Sequence, residues 1–482
     1  MNPLLEKCTY KAGDIVFSDL TQSLSFSQLE RAVACVSEVL TELGSDVIAT
    51  QLDNSIAWNI LDLALLERQF VHLPLPGFFT HQQSDFALSS AGCQLLITDI
   101  ERSGLDLVKE CHIAGVWCYF YSLPFTKVRL PLGTKKITFT SGSTGTPKGV
   151  CLSLDNQLNV AFSLAKAIAL TSGKHLSVLP YGVLLENVAG VYASLLSKGQ
   201  VVCMTLEELG FSGTSLADPR RLLTSITHTA PASMILVPEL LKALVIAAQK
   251  GWQAPTSLAF IAVGGANVAL ELLNQAQQLG LPVYQGYGLS EAGSVVALNL
   301  QAQNGEVGKV LDHLEYKIRD NALFLRGTLF LGYLGEEARD QNTWLDTGDL
   351  VMESASGLSI LGRKKNVIIN SFGRNIHPEW PESLVLSDTR IMQCVVVGEA
   401  KPFLTALIFA EATVTTLVIE HLLAQINRQL PVYAQIHRVI RLSTPLHTIP
   451  GLLTGNGRPI RGAIETHFHA ELDAVYRESM SA

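Results

Sequence analysis

Residues 139–149 read FTSGSTGTPKG, and this stretch decides how the rest of the chain is interpreted. Its hydroxyl side chains can donate protons to anionic oxygens, and its glycines let backbone amides approach such oxygens without an intervening Cβ. Lys148 adds a mobile positive charge. The stretch does not fit the GxxxxGKS/T phosphate loop, because Lys148 is followed by Gly149. Strand-like residues 136–139 and 150–153 flank it, so the sequence predicts a polyphosphate-binding loop between two strands.

Composition indicates a large folded protein rather than a disordered one. The chain has 482 residues, of which 48% are hydrophobic and 16% charged, with a formal net charge of −8. A length of several hundred residues predicts a large α/β unit plus a smaller one. The negative charge argues against nucleic acid as the main partner, since phosphate backbones select basic surfaces.

Several features favour a cytoplasmic protein without a transmembrane segment. The 8 cysteines are scattered without a CxxC pair, which suits a reducing compartment. The first residues, MNPLLEKCTYKAGD, lack a basic stretch followed by an apolar core, so we expect no secretory signal. The most apolar window, residues 176–197, contains Pro180, Glu186 and Asn187, which favours a buried strand–helix segment over a membrane span.

Short apolar runs alternate with helical stretches through the middle of the chain. Strands are predicted at 200–204, 233–237 and 258–263, and helices at 238–250 and 268–279. This alternation is typical of parallel sheets covered by helices. Beyond Gly362 the pattern changes: it predicts antiparallel strands at 395–398 and 405–409 and a helix at 415–429. We therefore predict an α/β fold with a large domain of residues 1–362, with largely parallel sheets, joined by a hinge to a small α+β domain of residues 366–482.

Further motifs follow the glycine-rich loop in order. They are QGYGLSE at 285–291, WLDTGD at 344–349, GRKK at 362–365, GRNIHPE at 373–379 and LTGNGRPIR at 453–461. In this order and spacing they resemble the adenylate-forming (ANL) superfamily, and the pattern is closest to the AMP-forming fatty acyl-CoA synthetases. The resemblance covers residues 139–461, while the residues before it fit in pattern without a recognisable motif.

The resemblance implies an activity and its cofactors. An enzyme of this kind would join a carboxylic acid, here a medium- or long-chain fatty acid, to ATP with release of pyrophosphate, and would pass the acyl group to coenzyme A. ATP, Mg²⁺ and coenzyme A are the implied cofactors. Two alternatives stay open: a ligase that loads the phosphopantetheine of an acyl carrier protein, and an adenylate-binding protein that has lost turnover. No aspartate follows Pro180 where amino-acid-activating relatives anchor an α-amine.

The resemblance also assigns roles to individual residues. Ser141, Ser143, Thr144 and Lys148 would hold the β- and γ-phosphates, Ser290 would touch the α-phosphate, and Glu291 would hold Mg²⁺. Tyr287 would stack on adenine, Asp349 would accept the ribose hydroxyls beside Arg363, and Lys365 would be the hinge. The full set of nucleotide-binding positions is Thr140, Ser141, Gly142, Ser143, Thr144, Gly145, Gly265, Gln285, Gly286, Tyr287, Gly288, Asp349 and Arg363, and the catalytic set is Lys148, Ser290, Glu291 and Arg458.

The sequence departs from the family pattern at three positions. Arg458 replaces a lysine that bridges carboxylate and α-phosphate, and an arginine fork cannot place a compact ammonium at one point. Val183 stands where many members have a histidine that shapes the acyl site. Pro381 follows Trp380 in a predicted helix, which is tolerated only in a first turn. His467 and His469, without further ligands nearby, are predicted to be solvent-exposed rather than metal-binding.

Overall fold

The computed structural model describes residues 2–68, 70–140, 147–170, 172–213, 215–301, 305–454 and 458–478. In this part of the chain two large mixed sheets dominate the first 310 residues, with parallel strands in the centre and antiparallel strands at the edges. The parallel strands in the centre of such a sheet are buried on both faces, so helices have to cover each side. The predicted α/β fold class is confirmed.

The first sheet carries the strands that flank the glycine-rich loop. Lys136–Thr140 and Lys148–Leu152 pair antiparallel, with Phe139 opposite Gly149, as the flanking pattern predicts. In spatial order the strands of this sheet are Gly332–Tyr333, Lys148–Leu152, Lys136–Thr140, Val71–Pro74, Val47–Gln51, Leu95–Thr98, Val116–Ser122 and Asp106–Ile113.

The second sheet carries the loops that follow the predicted parallel strands. The strands Phe260–Val263 and Val283–Leu289 pair parallel, with Val263 opposite Gln285. The residues that follow Val263 therefore lie beside the later residues of the strand Val283–Leu289. In spatial order the strands are Lys309–Val310, Ser294–Leu298, Val283–Leu289, Phe260–Val263, Ser233–Leu236, Lys174–Leu176, Gln200–Val202, Ile15–Ser18 and Ser23–Ser25.

Helices cover these sheets and agree with the predicted helical stretches to within a few residues. The helix predicted at 238–250 is Pro238–Gln249, with the proline in its first turn, where no amide donor is needed. The α-helices of this region are Phe26–Leu43, Ile56–Arg68, His81–Ser90, Leu154–Ile168, Ala193–Leu196, Pro219–Thr229, Pro238–Gln249 and Leu270–Gln278. The apolar window 176–197 begins at the end of the strand Lys174–Leu176 and contains a largely buried π-helix, Leu185–Tyr192, followed by the short α-helix Ala193–Leu196. Among the described residues, no helix combines the length and the apolar composition needed to cross a membrane.

A charged cluster lies in the interior where the first sheet meets its helices. The Lys136 ammonium is 2.9 Å from Asp62 Oδ1 and donates to Asn187. The Tyr192 hydroxyl donates to Asp62 Oδ2 at 2.6 Å, and His72 Nδ1 lies 2.6 Å from Asp62 Oδ1. Burial alone would raise the pKa of the Asp62 carboxyl, but Lys136 and His72 hold it well below its usual range. The cluster ties a strand that enters the glycine-rich loop to a helix and to the π-helix.

An antiparallel sheet leads from the large sheets to the C-terminal region. Its strands, in spatial order, are Leu314–Arg319, Ala322–Gly327, Leu345–Glu353 and Leu358–Arg363. The motif residues Asp349 and Arg363 are directly opposite one another in this sheet. Two-stranded ribbons occur at Phe211–Ser212 with Ser215–Leu216 and at Ile368–Ile369 with Asn375–Ile376.

The C-terminal residues build a separate hydrophobic core. The strands Ile391–Val397 and Leu404–Ala410 pair antiparallel, as predicted, and Ile436–Arg441 adds a parallel third strand. The helices are Glu379–Leu386, Thr416–Asn427, Arg461–His467 and His469–Glu478. Pro381 lies in the first turn of its helix, which confirms that prediction. His467 and His469 are exposed, also as predicted, and all eight cysteines are free thiols.

Candidate functional site

Tyr287, Asp349 and Arg363 come from three different strands and meet at one point. The Tyr287 hydroxyl donates to Asp349 Oδ2 at 2.5 Å, and Arg363 Nε forms an ion pair with Asp349 Oδ1 at 2.6 Å. The Asp349 side chain is 4% exposed, so its carboxylate is held almost out of solvent between a phenol and a guanidinium. Burial raises the pKa of Asp349, while Arg363 and Tyr287 oppose that rise. The triad keeps one anionic acceptor in a defined position.

Close backbone packing beside this triad depends on glycine. A Cβ on Gly288 would lie 1.8 Å from the Ser294 carbonyl oxygen, which no side chain could accommodate. Gly265 has a φ of +82°, in the left-handed region that favours glycine, and it follows the strand neighbouring Gln285. Gln285 is buried, and its Oε1 has no hydrogen-bond partner in the described protein. An unsatisfied buried acceptor is costly, and a ligand amino group would satisfy it.

Arg458 brings the C-terminal region to the same place. Its Nη2 donates to the Gly265 carbonyl at 2.7 Å, across 193 residues of sequence. Desolvation lowers the pKa of the Arg458 guanidinium, and so does Arg363, whereas Asp349 and Glu291 oppose the change. The predicted tail residue therefore lies within electrostatic reach of the predicted nucleotide residues. The Thr454 amide donates to the Arg458 carbonyl at 2.8 Å, and the Arg458 amide donates to Thr454 Oγ1 at 3.0 Å.

A second chain of contacts runs from Glu291 to Lys148. Glu291 lies in the short helix Ser290–Ala292, and its Oε1 accepts a hydrogen bond of 2.8 Å from the Tyr333 hydroxyl. Lys148 Nζ lies 4.5 Å from the Tyr333 ring centroid and 3.0 Å from Glu336 Oε1. The Lys148 side chain is 47% exposed, so this ion pair is weak and open to exchange for a stronger anion.

The arrangement around Glu291 fits a magnesium ion that is shared with a phosphate. Mg²⁺ is usually held by one or two carboxylates plus substrate phosphate oxygens and water. The described residues contain no cluster of three or more histidine, cysteine, aspartate or glutamate side chains that could hold a metal by itself. Tyr333 orients the Glu291 carboxylate through one oxygen, which is the arrangement expected for a single protein ligand.

The structure brings together the predicted site residues that it describes, from Thr140 and Lys148 to Arg458. Ser141, Gly142, Ser143, Thr144 and Gly145 lie outside the described residues. Gly286 is on the strand Val283–Leu289 with Tyr287, and Ser290 begins the short helix that carries Glu291. Lys365 lies in the 3₁₀ turn Lys364–Asn366, immediately after the strand that bears Arg363. The assigned roles of all these residues stay predictions.

The sequence motifs did not predict two residues of the site, Tyr333 and Glu336. Tyr333 contacts both Glu291 and Lys148, and Glu336 pairs with Lys148. The available signal was a tyrosine directly after a glycine, as in the Tyr287 motif. Gly332 has a φ of +143° and Tyr333 pairs with Val150, so the glycine lets the strand join the edge beside the loop.

Comparison with known proteins identifies the relatives of this fold. The model of the AMP-binding enzyme family matches residues 5–326, and that of the AMP-binding enzyme C-terminal domain matches residues 365–480. A solved structure of O-succinylbenzoate coenzyme A synthetase (MenE) from Bacillus subtilis, in complex with ATP and a magnesium ion, superposes with a TM-score of 0.74 at 21% identity, covering 96% of this chain and 98% of that one. At that identity the likeness concerns the fold.

Sequence relatives match over shorter stretches. The long-chain-fatty-acid–CoA ligase FadD15 of Mycobacterium bovis is 38% identical over 154 residues, which are 30% of this chain and 26% of the relative. The 2-succinylbenzoate–CoA ligase of Bacillus subtilis is 30% identical over 286 residues, covering 55% of this chain and 56% of the relative. The alignments thus span about a quarter and just over half of the length of these two curated relatives.

Proposed function

Since the chain belongs to the AMP-binding enzyme family, we propose that it is an AMP-forming ligase that joins a carboxylic acid to the thiol of coenzyme A at the expense of ATP. The observation that carries the proposal is the meeting of Tyr287, Asp349 and Arg363 at one point, with Arg458 hydrogen-bonded to the carbonyl of Gly265 beside the strand that carries Gln285. These residues come from distant parts of the chain, and their arrangement offers a ribose acceptor beside two guanidinium groups.

The first half-reaction brings two anions together. A carboxylate oxygen attacks the α-phosphorus of ATP, the bond to the β-phosphate oxygen breaks, and pyrophosphate leaves. Such a step depends on positioning and on neutralising charge rather than on covalent help from the protein. Lys148 would neutralise the leaving phosphates, and Arg458 would hold the carboxylate near the α-phosphate. A magnesium ion held by Glu291 would supply further charge neutralisation on the phosphate oxygens.

The second half-reaction replaces AMP with a thiol. The thiolate of coenzyme A attacks the acyl carbon, the carbon–oxygen bond to the phosphate breaks, and AMP leaves with the electron pair. The nucleophile meets an already activated acyl group, so less charge neutralisation is needed than in the first step. Lys365, in the 3₁₀ turn that follows the last strand of the antiparallel sheet, would be the hinge about which the small domain moves between the two steps.

We propose an aliphatic acid as the substrate, with a fatty acid as the first choice. Val183 and Leu185 are half-buried on either side of the buried Leu184, and all three side chains are apolar, which supports an apolar acyl site. The fatty-acid ligase relative supports the same choice, whereas the 2-succinylbenzoate ligase relative supports an aromatic dicarboxylic acid. An acyl carrier protein in place of coenzyme A is the second candidate for the acceptor, since both present the same pantetheine thiol.

The test is acid-dependent exchange of labelled pyrophosphate into ATP. A panel of butyrate, octanoate, palmitate, 2-succinylbenzoate and an amino acid separates the substrate classes. We expect exchange with at least one aliphatic acid, followed by thioester formation with coenzyme A or with a holo carrier protein in parallel reactions. A protein that binds ATP but exchanges pyrophosphate with none of these acids would contradict the proposed activity.

Replacing Lys148 with alanine is expected to weaken ATP binding. The substitution removes a charge-assisted contact to phosphate. Because Lys148 is exposed, we expect this contact to contribute only about 1–2 kcal/mol to the binding free energy, or roughly 5- to 30-fold in affinity. Equilibrium binding of Mg–ATP measures this. Lys109, a partly exposed lysine paired with Glu42, provides the control Lys109→Ala. Equal affinity in the Lys148 variant and the control would remove Lys148 from the phosphate site.

Glu291→Gln is expected to raise the Mg²⁺ concentration needed for half-maximal adenylate formation. The amide keeps the shape and can still accept from Tyr333, but it lacks the negative charge that a hard divalent cation selects. Magnesium titration of pyrophosphate exchange measures the shift, and Tyr333→Phe tests whether the hydroxyl that orients Glu291 contributes. If the Mg²⁺ dependence is the same as in the wild type, Glu291 is a structural acid.

A further inference from the structure

Lys242 forms a contact between the two regions that neither the motifs nor the proposed chemistry uses. It lies on the helix Pro238–Gln249 of the large domain. Its ammonium donates to the backbone carbonyls of Asp388, at 3.0 Å, and of Ile391, at 2.6 Å. The Asp388 carbonyl lies in the turn after the helix Glu379–Leu386, and Ile391 is the first residue of the strand Ile391–Val397 that follows the turn. A single side chain therefore holds both sides of one turn in the other domain.

The contact is made to the backbone and not to a nearby acid. The Asp388 carboxylate is already occupied by Arg390, whose Nε and Nη2 donate to its two oxygens at 2.9 and 2.6 Å. Lys242 thus binds two backbone carbonyl groups, and the contact depends on where these carbonyls lie rather than on the charge of a neighbouring side chain. Half-buried ammonium groups are costly unless their hydrogen bonds are satisfied, and the two carbonyls satisfy this one.

Two other hydrogen bonds between the same regions differ from the Lys242 contact: one is longer, and the other lies in the nucleotide site itself. Asn267 Nδ2 donates to the Glu379 carbonyl at 3.4 Å, a weak bond. Arg458 donates to the Gly265 carbonyl and would have to exchange that partner for substrate. Of these contacts, the one made by Lys242 is both short and remote from the nucleotide residues. Lys242 can therefore hold the small domain while Arg458 changes partners.

We propose that Lys242 is a positioning residue that holds the small domain in the orientation where Arg458 reaches the nucleotide site. The orienting role of Lys242 is inferred from its hydrogen bonds alone, whereas its effect on catalysis rests on the proposed function. It follows that Lys242 favours adenylate formation, which needs Arg458. Thioester formation from a supplied adenylate does not need this orientation, so it does not depend on Lys242.

The contact persists across the physiological pH range. Burial lowers the pKa of Lys242 to about 8, and Asp388, Glu239 and Glu411 oppose the decrease. The ammonium has three N–H donors below that pH and the neutral amine keeps two, which is the number of carbonyls present. Both protonation states can therefore make the pair of hydrogen bonds.

The experiment compares Lys242→Met with Lys242→Arg and with Lys250→Met in the full chain. Methionine keeps the apolar stem without a donor, arginine restores donors, and Lys250, just beyond the same helix, is exposed. Small-angle X-ray scattering measures the domain orientation without any catalysis. Pyrophosphate exchange with the best acid of the panel, and thioester formation from the matching synthetic acyl-adenylate, measure the two half-reactions separately.

We expect Lys242→Met to enlarge the radius of gyration and to slow pyrophosphate exchange about 10-fold. The reason is that the two hydrogen bonds lost in this variant together change the equilibrium between domain orientations by about that factor. Thioester formation should change less than about 2-fold, and Lys242→Arg should recover most of the exchange. Scattering identical to that of Lys250→Met, or an equal loss in both half-reactions, would overturn the proposal. If no acid supports exchange, the proposed function fails, and the scattering comparison still decides whether Lys242 sets the orientation.

Discussion

Arg458→Ala is expected to slow acyl-adenylate formation by about 10²- to 10³-fold, the usual cost of removing a preorganised group that stabilises charge in a transition state. The guanidinium donates to the Gly265 carbonyl at 2.7 Å, next to the strand that carries Gln285 and Tyr287. Pyrophosphate exchange measures the first half-reaction. Thioester formation from supplied acyl-adenylate measures the second, in which we expect a much smaller effect.

The control variants separate charge from shape. Arg458→Lys retains the charge as a compact ammonium, so we expect adenylation to be kept or increased. Arg428→Ala removes an exposed arginine at the end of a small-domain helix and should change neither half-reaction. Unchanged exchange in Arg458→Ala would mean that Arg458 is a bystander and that the small domain contributes to adenylation through another residue.

Lys136→Met is expected to have the largest effect on stability, lowering the free energy of unfolding by about 3–5 kcal/mol. The substitution leaves the Asp62 carboxylate buried without its cationic partner, and it leaves Asn187 Oδ1 without the ammonium donor. Both side chains of the ion pair are almost fully excluded from solvent, at 0% and 1% exposure. Chemical denaturation followed by far-UV circular dichroism measures the loss.

Lys127→Met is the matched control for this prediction. Lys127 also pairs with an aspartate, Asp46, but both side chains are 62% exposed. Exposed ion pairs contribute about 0–1 kcal/mol, so the control should unfold close to the wild type. A double variant, Lys136→Met with Asp62→Leu, removes both charges and should recover part of the stability. Equal stability of Lys136→Met and Lys127→Met would show that the buried cluster does not stabilise the fold.

Features that depend on neighbouring residues could be predicted from the sequence. The two strands around the glycine-rich loop, the helix that begins at Pro238, and Pro381 in a first helical turn all follow from local patterns and lie close to their predicted positions. The order of the motifs also predicted the family and fold class correctly. Hydrophobic periodicity and backbone restrictions act over a few residues, so the sequence shows them directly.

The partners of individual side chains could be found only in three dimensions. Lys136 belongs to an alternating strand pattern in which a lysine ordinarily faces solvent, yet it is buried because Asp62, 74 residues earlier, supplies a counter-charge. Lys242 looks like a polar position on an amphipathic helix until the turn of the small domain is placed against it. Local patterns specify which backbone forms, whereas burial and ion pairing depend on which distant segment packs alongside. That packing is determined by the whole chain, because its free energy is summed over contacts between residues far apart in sequence.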